Sequence, residues 1–157
     1  MTGLDAAEVA RRTEAANALT PILAAMDVRA VRLGRGVAEA EIPLGPNGNH
    51  FGVMYAGSLF TVAEVLGGYL PAATWDLTGY LPIVADMQIS YRAPATTTVR
   101  ARASLDEAEL ARIAAELEAG APKIRFTLST VLTDTAGTSV ATTTGSYLLR
   151  RLPDADA

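Results

Sequence analysis

The residues of this 157-residue chain that could do chemistry are few, and Glu64 is foremost among them. It is the only charged residue in the run 51–73. A carboxylate among apolar side chains is costly unless it is hydrogen-bonded or put to use. There it could take a proton from water or attack a carbonyl itself. The plainer reading is a structural acid held by a hydrogen bond. Upstream, a loop through Asn49 and His50 leads by way of Tyr55 to a helix start around Ala56 and Gly57. The first N–H groups of a helix have no intrahelical partners and sit at the positive end of its dipole. Such an end can hold a developing oxyanion.

Other chemistries are poorly supplied. There is no cysteine, which excludes disulfides and thiolate chemistry, and a single histidine cannot assemble a usual zinc or copper site. Ser58 follows a glycine but lacks the Gly-x-Ser-x-Gly turn, and the lone His50 lies upstream of it, which speaks against a Ser-His-Asp triad. No Gly-x-Gly-x-x-Gly or Walker pattern points to a nucleotide cofactor, so no cofactor is expected. The net charge of −4 gives no reason for nucleic-acid or anionic-membrane binding through the field of the whole molecule.

The elements that must position these residues follow from patterning. Half of the residues are hydrophobic and 19% are charged, which suits one compact domain over residues 1–157. The run 51–73 is long enough to cross a bilayer. A mid-span carboxylate costs roughly 2.5–3.5 kcal/mol on insertion scales, several glycines weaken the helix, and no Lys or Arg flanks the run. The segment therefore reads as a helix wrapped by its own protein. The first fourteen residues hold acidic side chains and no apolar core of signal-peptide length, so a cytoplasmic location is expected.

Asp5 with Glu8 three residues on signals a helix start, and Val9, Ala16, Leu19 and Leu23 carry that helix to about Met26. Residues 28–33 and 37–42 about Gly34-Arg35-Gly36 read as a hairpin. After the apolar helix, Ile83, Ala85, Met87, Ile89 and Tyr91 alternate with polar residues, as do Val99, Ala101, Ala103 and Leu105. Asp106 caps a surface helix with Leu110, Ile113, Ala114 and Leu117 on one stripe, stopped at Gly120-Ala121-Pro122. Residues 123–133 and 138–149 form a last hairpin. The predicted class is α+β, an antiparallel sheet curled around a long central helix.

The stretch Asn49-His50-Phe51-Gly52-Val53-Met54-Tyr55-Ala56-Gly57, continuing to Glu64, resembles the loop and central helix of hotdog-fold thioesterases, particularly the phenylacetyl-CoA thioesterase-like group. Asn49, Gly52, Gly57 and Glu64 match that pattern in register, and the element order extends the likeness over nearly the whole chain. Tyr55 stands where the family commonly has His, and Ala56 where it has its first Gly. The resemblance implies hydrolysis of an acyl-CoA or related thioester, with the Ala56 N–H polarising the carbonyl and Glu64 as general base or nucleophile.

Eight residues of helix put Ala56 and Glu64 about 12 Å apart along the axis, too far for one carbonyl. A shared site then needs two chains about a twofold axis, as a homodimer or dimer of dimers. Asn49 is read as a substrate- or water-positioning residue or as a turn residue, His50 as a substrate contact or a plain loop residue, and Tyr55 as a hydroxyl donor or an interface aromatic. Phe60 and Thr61 lie one turn from Glu64 and line its face, with Gly67 and Gly68 on the other side. Arg92, Arg100, Arg102, Lys123 and Arg125 are either solvated or contacts for CoA phosphates. Two rival readings stand: a non-catalytic acyl-ligand binder, favoured by the departures at Tyr55 and Ala56, and a hotdog dehydratase or hydratase, for which His50 lies on the wrong side of the helix start.

Overall fold

The computed structural model describes residues 3–153; Met1 and Thr2, the first positions of the stretch searched for a targeting signal, lie outside it. The chain opens with helix α1 (Ala6–Leu19), capped by the Asp5 carboxylate, which accepts from the Glu8 N–H at 2.8 Å. The expected single helix to Met26 is in fact two. Pro21 forces Thr20 out of helical geometry (φ −130°, ψ 84°), and a second short helix α2 (Pro21–Ala25) starts at the proline itself.

The hairpin follows as β1 (Arg29–Gly34) and β2 (Val37–Ile42), with Gly36 in the left-handed region at its turn. The apolar segment gives α3 (Ala56–Glu64) and α4 (Leu66–Thr74), which meet at Val65, so the long central helix is interrupted next to Glu64. Both the Gly68 and Tyr69 N–H groups bond the Val65 carbonyl at 3.0 Å, a local tightening of the turn. Its cause lies in the sequence just beyond. Gly67 and Gly68 are weak helix formers, and Pro71 has no N–H for the carbonyl of residue 67.

The remaining elements are β3 (Tyr80–Tyr91), β4 (Val99–Ser104), α5 (Glu107–Glu118), β5 (Lys123–Thr133) and β6 (Ser139–Arg151). All pairings are antiparallel, and the sheet runs β1-β2-β4-β5-β6-β3. Its inner face covers α3 and α4, the expected hotdog arrangement of a sheet around a central helix. Leu59, Val62, Leu66 and Leu70 form the buried stripe of the helices. Opposite them β2 and β4 offer the small Ala38, Ala40, Ala101 and Ala103, with the larger pair Ile42 and Val99 at one end, all buried; the alanines let the helices approach closely.

The alternation of β4 is as expected, but that of β3 is not. A bulge between Val84 and Asp86 leaves Ala85 unpaired and shifts the register. Before it the even residues Pro82 and Val84 pair with Leu149 and Tyr147; after it the odd residues Met87 and Ile89 pair with Gly145 and Thr143. One extra residue exchanges the two faces, which is why Ala85 is exposed instead of inward. No helix among the described residues is long and apolar enough to cross a membrane.

Candidate active site beside Glu64

Glu64 is the last residue of α3 and projects into a cavity of about 450 Å³. Phe60 and Thr61 line it from the preceding turn, Gly67 and Gly68 from the following one, as helical spacing requires. The far wall comes from β3 at its bulge, through Pro82, Ile83 and Val84. Among the described residues no hydrogen bond or ion pair reaches the Glu64 carboxylate; the one side-chain bond to this residue is accepted by its backbone carbonyl. Burial pushes its carboxyl above the ordinary glutamate value. A carboxylate so placed is a better base than one in water.

Tyr147 of β6 is the neighbour that sequence reasoning missed. Its hydroxyl donates to the Glu64 backbone carbonyl at 3.4 Å and lies 3.5 Å from the Met87 sulfur. One ring face stacks on Phe126, with centroids 5.5 Å apart and planes 19° from parallel. The ring also lies against Gly67, where any Cβ would fall inside its van der Waals surface. Burial, and then the Glu64 charge, hold this phenol well above its usual value, so it stays a neutral donor. A further glycine, Gly145, stands two residues before it on the same face.

At the other end of α3 the N–H groups of Ala56 and Gly57 have no acceptor among the described residues, nor does any side chain of these cap the helix. Tyr55 occupies the N-cap position, and its exposed ring covers Gly57, where a Cβ would run into Tyr55 Cε1, with Cδ1 at 3.1 Å. The Tyr55 N–H donates to the Asn47 carbonyl at 2.7 Å. Asn47, also unanticipated, is buried, and its Nδ2 ties the carbonyls of Met26 and Pro43 together at 2.8 Å each. It thereby fixes where α3 begins relative to α2 and β2.

The other expected site residues are dispersed. Asn49 spends its Oδ1 on the N–H groups of Phe51 (2.9 Å) and Val53 (3.4 Å), organising the loop that leads to α3. His50 is exposed, with its ring 3.9 Å from that of Phe51. Thr61 donates its hydroxyl to the Gly57 carbonyl at 2.9 Å. Arg92 is exposed just beyond β3 and does not line the cavity. Arg100 and Arg102 lie on the outer sheet face, at 3.6 and 3.3 Å from the buried Glu39, and Arg100 also pairs with Glu41 at 2.6 Å. Lys123 and Arg125 are exposed on β5. The described residues contain no group of three or more metal-ligating side chains.

The family model "Domain of unknown function (DUF4442)" matches residues 10–148. The chain belongs to that family. A comparison with curated proteins gives no sequence match. Among solved structures, a Pseudomonas aeruginosa protein of unknown function, described as a probable thioesterase, is 32% identical with a TM-score of 0.81 over 94% of this chain and 97% of its own. A thioesterase from Haemophilus influenzae shares the fold at 15% identity, with a TM-score of 0.71 over 92% and 94%. One from Staphylococcus aureus does so at 14% identity, 0.68, over 83% and 99%. The DUF4442 chain thus shares its hotdog architecture with thioesterases.

Within this DUF4442 member, Tyr147 and the α2 wall lay beyond sequence reasoning because both reach Glu64 by non-local packing. An inward Gly145 two residues before Tyr147 was the available sign that a ring needs room there.

Proposed function

We propose that this protein hydrolyses an acyl-CoA or related acyl thioester to the free acid and thiol. The observation that carries the reading is Glu64: a carboxylate without a partner, raised by burial, at the wall of an apolar cavity. Used as a base, it accepts a proton as water adds to the thioester carbonyl. The C–S bond then breaks and the thiolate takes that proton, releasing acid and thiol. Used as a nucleophile, Glu64 forms an anhydride with the acyl group as the thiolate leaves, and water hydrolyses it.

The unpartnered Ala56 N–H suits the oxyanion of either route. It lies about 12 Å along the same helix from Glu64, so the two ends must serve one carbonyl from different subunits. The β3 edge supports such a pairing. It is twelve residues long, unpaired on one side among the described residues, and exposes Leu81, Val84 and Tyr91. Sedimentation should give a dimer or a dimer of dimers, and a monomer at micromolar concentration contradicts the shared site. Glu64→Gln keeps volume and removes charge, so kcat on the best acyl-CoA should fall about 100-fold or more with binding retained. Undiminished turnover in that variant would return the protein to the ligand-binding reading.

A further inference from the structure

The cavity beside Glu64 has walls of uneven chemistry, and the unevenness bears on the acyl group. Of its two aromatic residues, Tyr147 is buried, stacked on Phe126 and packed against Gly67. Its ring is already engaged by these two neighbours. Among the described residues Phe60 has no stacking partner, and no second aromatic of the lining stands with it to form a slot for a flat ring. Most of the other side chains of the lining are branched or cyclic aliphatic, notably Ile22, Leu23, Val65, Ile83 and Val84; Thr20 and Thr61 add hydroxyls, and Glu64 is its only charged group. At about 450 Å³ the space lies toward the lower part of the usual ligand-pocket range, far more than a short acyl group fills.

Its outer wall exists because of the break at Pro21. Had α1 continued, the chain would not turn where it does; instead α2 brings Thr20, Ile22 and Leu23 to the cavity. Leu23 is buried, but Ile22 is 54% exposed and stands at the rim. Leu19, one turn earlier, is 85% exposed and does not line it.

We infer that the cavity holds the aliphatic chain of a medium-chain acyl thioester, and that Ile22 sets the chain length it accepts. The assignment rests on the thioesterase reading for its head group, since the carbonyl must lie at Glu64. The chain then runs over Gly67 and Gly68, whose missing side chains leave it room, and meets Ile22 at the far end. Each methylene buried on the way should raise kcat/KM about fourfold, the equivalent of about 0.8 kcal/mol.

The test is kcat/KM over the straight-chain acyl-CoA series from acetyl to myristoyl, with benzoyl-CoA and phenylacetyl-CoA added. The expected profile climbs from acetyl to a medium-chain optimum, with the aryl substrates below aliphatic ones of equal carbon number. Ile22→Trp should move the optimum to shorter chains, lowering the longest substrates at least tenfold while sparing butyryl-CoA. Ile22→Ala should move it to longer chains, and Leu19→Trp should do neither. A flat profile, a preference for the aryl thioesters, or equal effects of Ile22→Trp on all lengths overturns the inference.

Should the wild-type protein hydrolyse none of these, the thioesterase reading fails, and calorimetric binding of decanoyl-CoA against acetyl-CoA decides the cavity separately. Tighter decanoyl binding that Ile22→Trp abolishes upholds the aliphatic cavity. Equal binding, or none, overturns it.

Discussion

Gly67 and Gly68 are neighbours in α4, yet the same substitution at each should move stability in opposite directions. A Cβ on Gly67 would fall on the Tyr147 ring, 2.6 Å from Cζ and closer still to Cε1 and Cδ1. The ring has little room to retreat, because it is buried and stacked on Phe126. Overpacking of this kind costs typically 1–3 kcal/mol, here about 3, against a gain of about 1 kcal/mol in helix propensity for Gly→Ala. The net loss of about 2 kcal/mol should lower Tm by roughly 4–8 °C in a chain of this size.

At Gly68 no atom lies within 4 Å of the added methyl. Only the propensity term remains, so Gly68→Ala should raise stability by about 0.5–1 kcal/mol, or about 1–4 °C. Urea unfolding and thermal melts of the two variants beside the parent measure both signs. The Gly67→Ala cost should also shrink in a Tyr147→Leu background, since the clashing ring is then gone and the two sites are coupled. A Gly67→Ala protein as stable as the parent, or one equally destabilised in both backgrounds, would refute the placement of the Tyr147 ring.

Three further outcomes are expected. Because burial raises the Glu64 carboxyl, its folded state holds the proton to higher pH than the unfolded chain; the stability this gives is full below the ordinary glutamate value and lost as pH rises through the raised one. Glu64→Gln should therefore melt higher than the parent at neutral pH, with the difference closing as pH falls toward about 4. Tyr55→Phe should leave Tm unchanged, since among the described residues none hydrogen-bonds its exposed hydroxyl, and should lower kcat if that hydroxyl reaches the substrate. Asn47→Asp replaces a buried donor of two hydrogen bonds with a carboxylate facing the Met26 and Pro43 carbonyls, and should cost about 3 kcal/mol in urea unfolding.

Much of the fold could be read from the chain because its signals are local. Asp5 and Asp106 each cap the helix that the spacing indicated, and the β4 alternation of Val99, Ala101 and Ala103 is that of the folded strand. The departures have equally physical causes. Pro21 was available to be read as a helix break, but Val9, Ala16, Leu19 and Leu23 keep helical spacing across it, so periodicity outweighed the proline. The bulge at Ala85 leaves no mark in the sequence, since alternation continues through it, and only pairing with β6 reveals the change of face. Around Glu64, the residues within one helical turn were accessible to spacing arguments. Tyr147 lies 83 residues away and reaches Glu64 only because β6 carries its side chain onto Gly67.

The features that weaken the central helix are those that open the space beside Glu64. Gly67 and Gly68 forgo side chains, Pro71 removes a helical hydrogen bond, and the ladder tightens at Val65; Tyr147 fills the room at Gly67, and at Gly68 it stays empty. A more stable helix is easily imagined, with alanine at position 68 as its first step. Under the proposed function, that methyl would point into the path of the acyl chain. Gly68→Ala should then combine a higher melting temperature with a lower kcat/KM on medium-chain substrates, leaving acetyl-CoA nearly untouched. That pairing of gain and loss separates a glycine kept for a ligand from one that packing merely tolerates. If the more stable protein hydrolyses every chain length as well as its parent, the groove over Gly68 is not where the substrate lies.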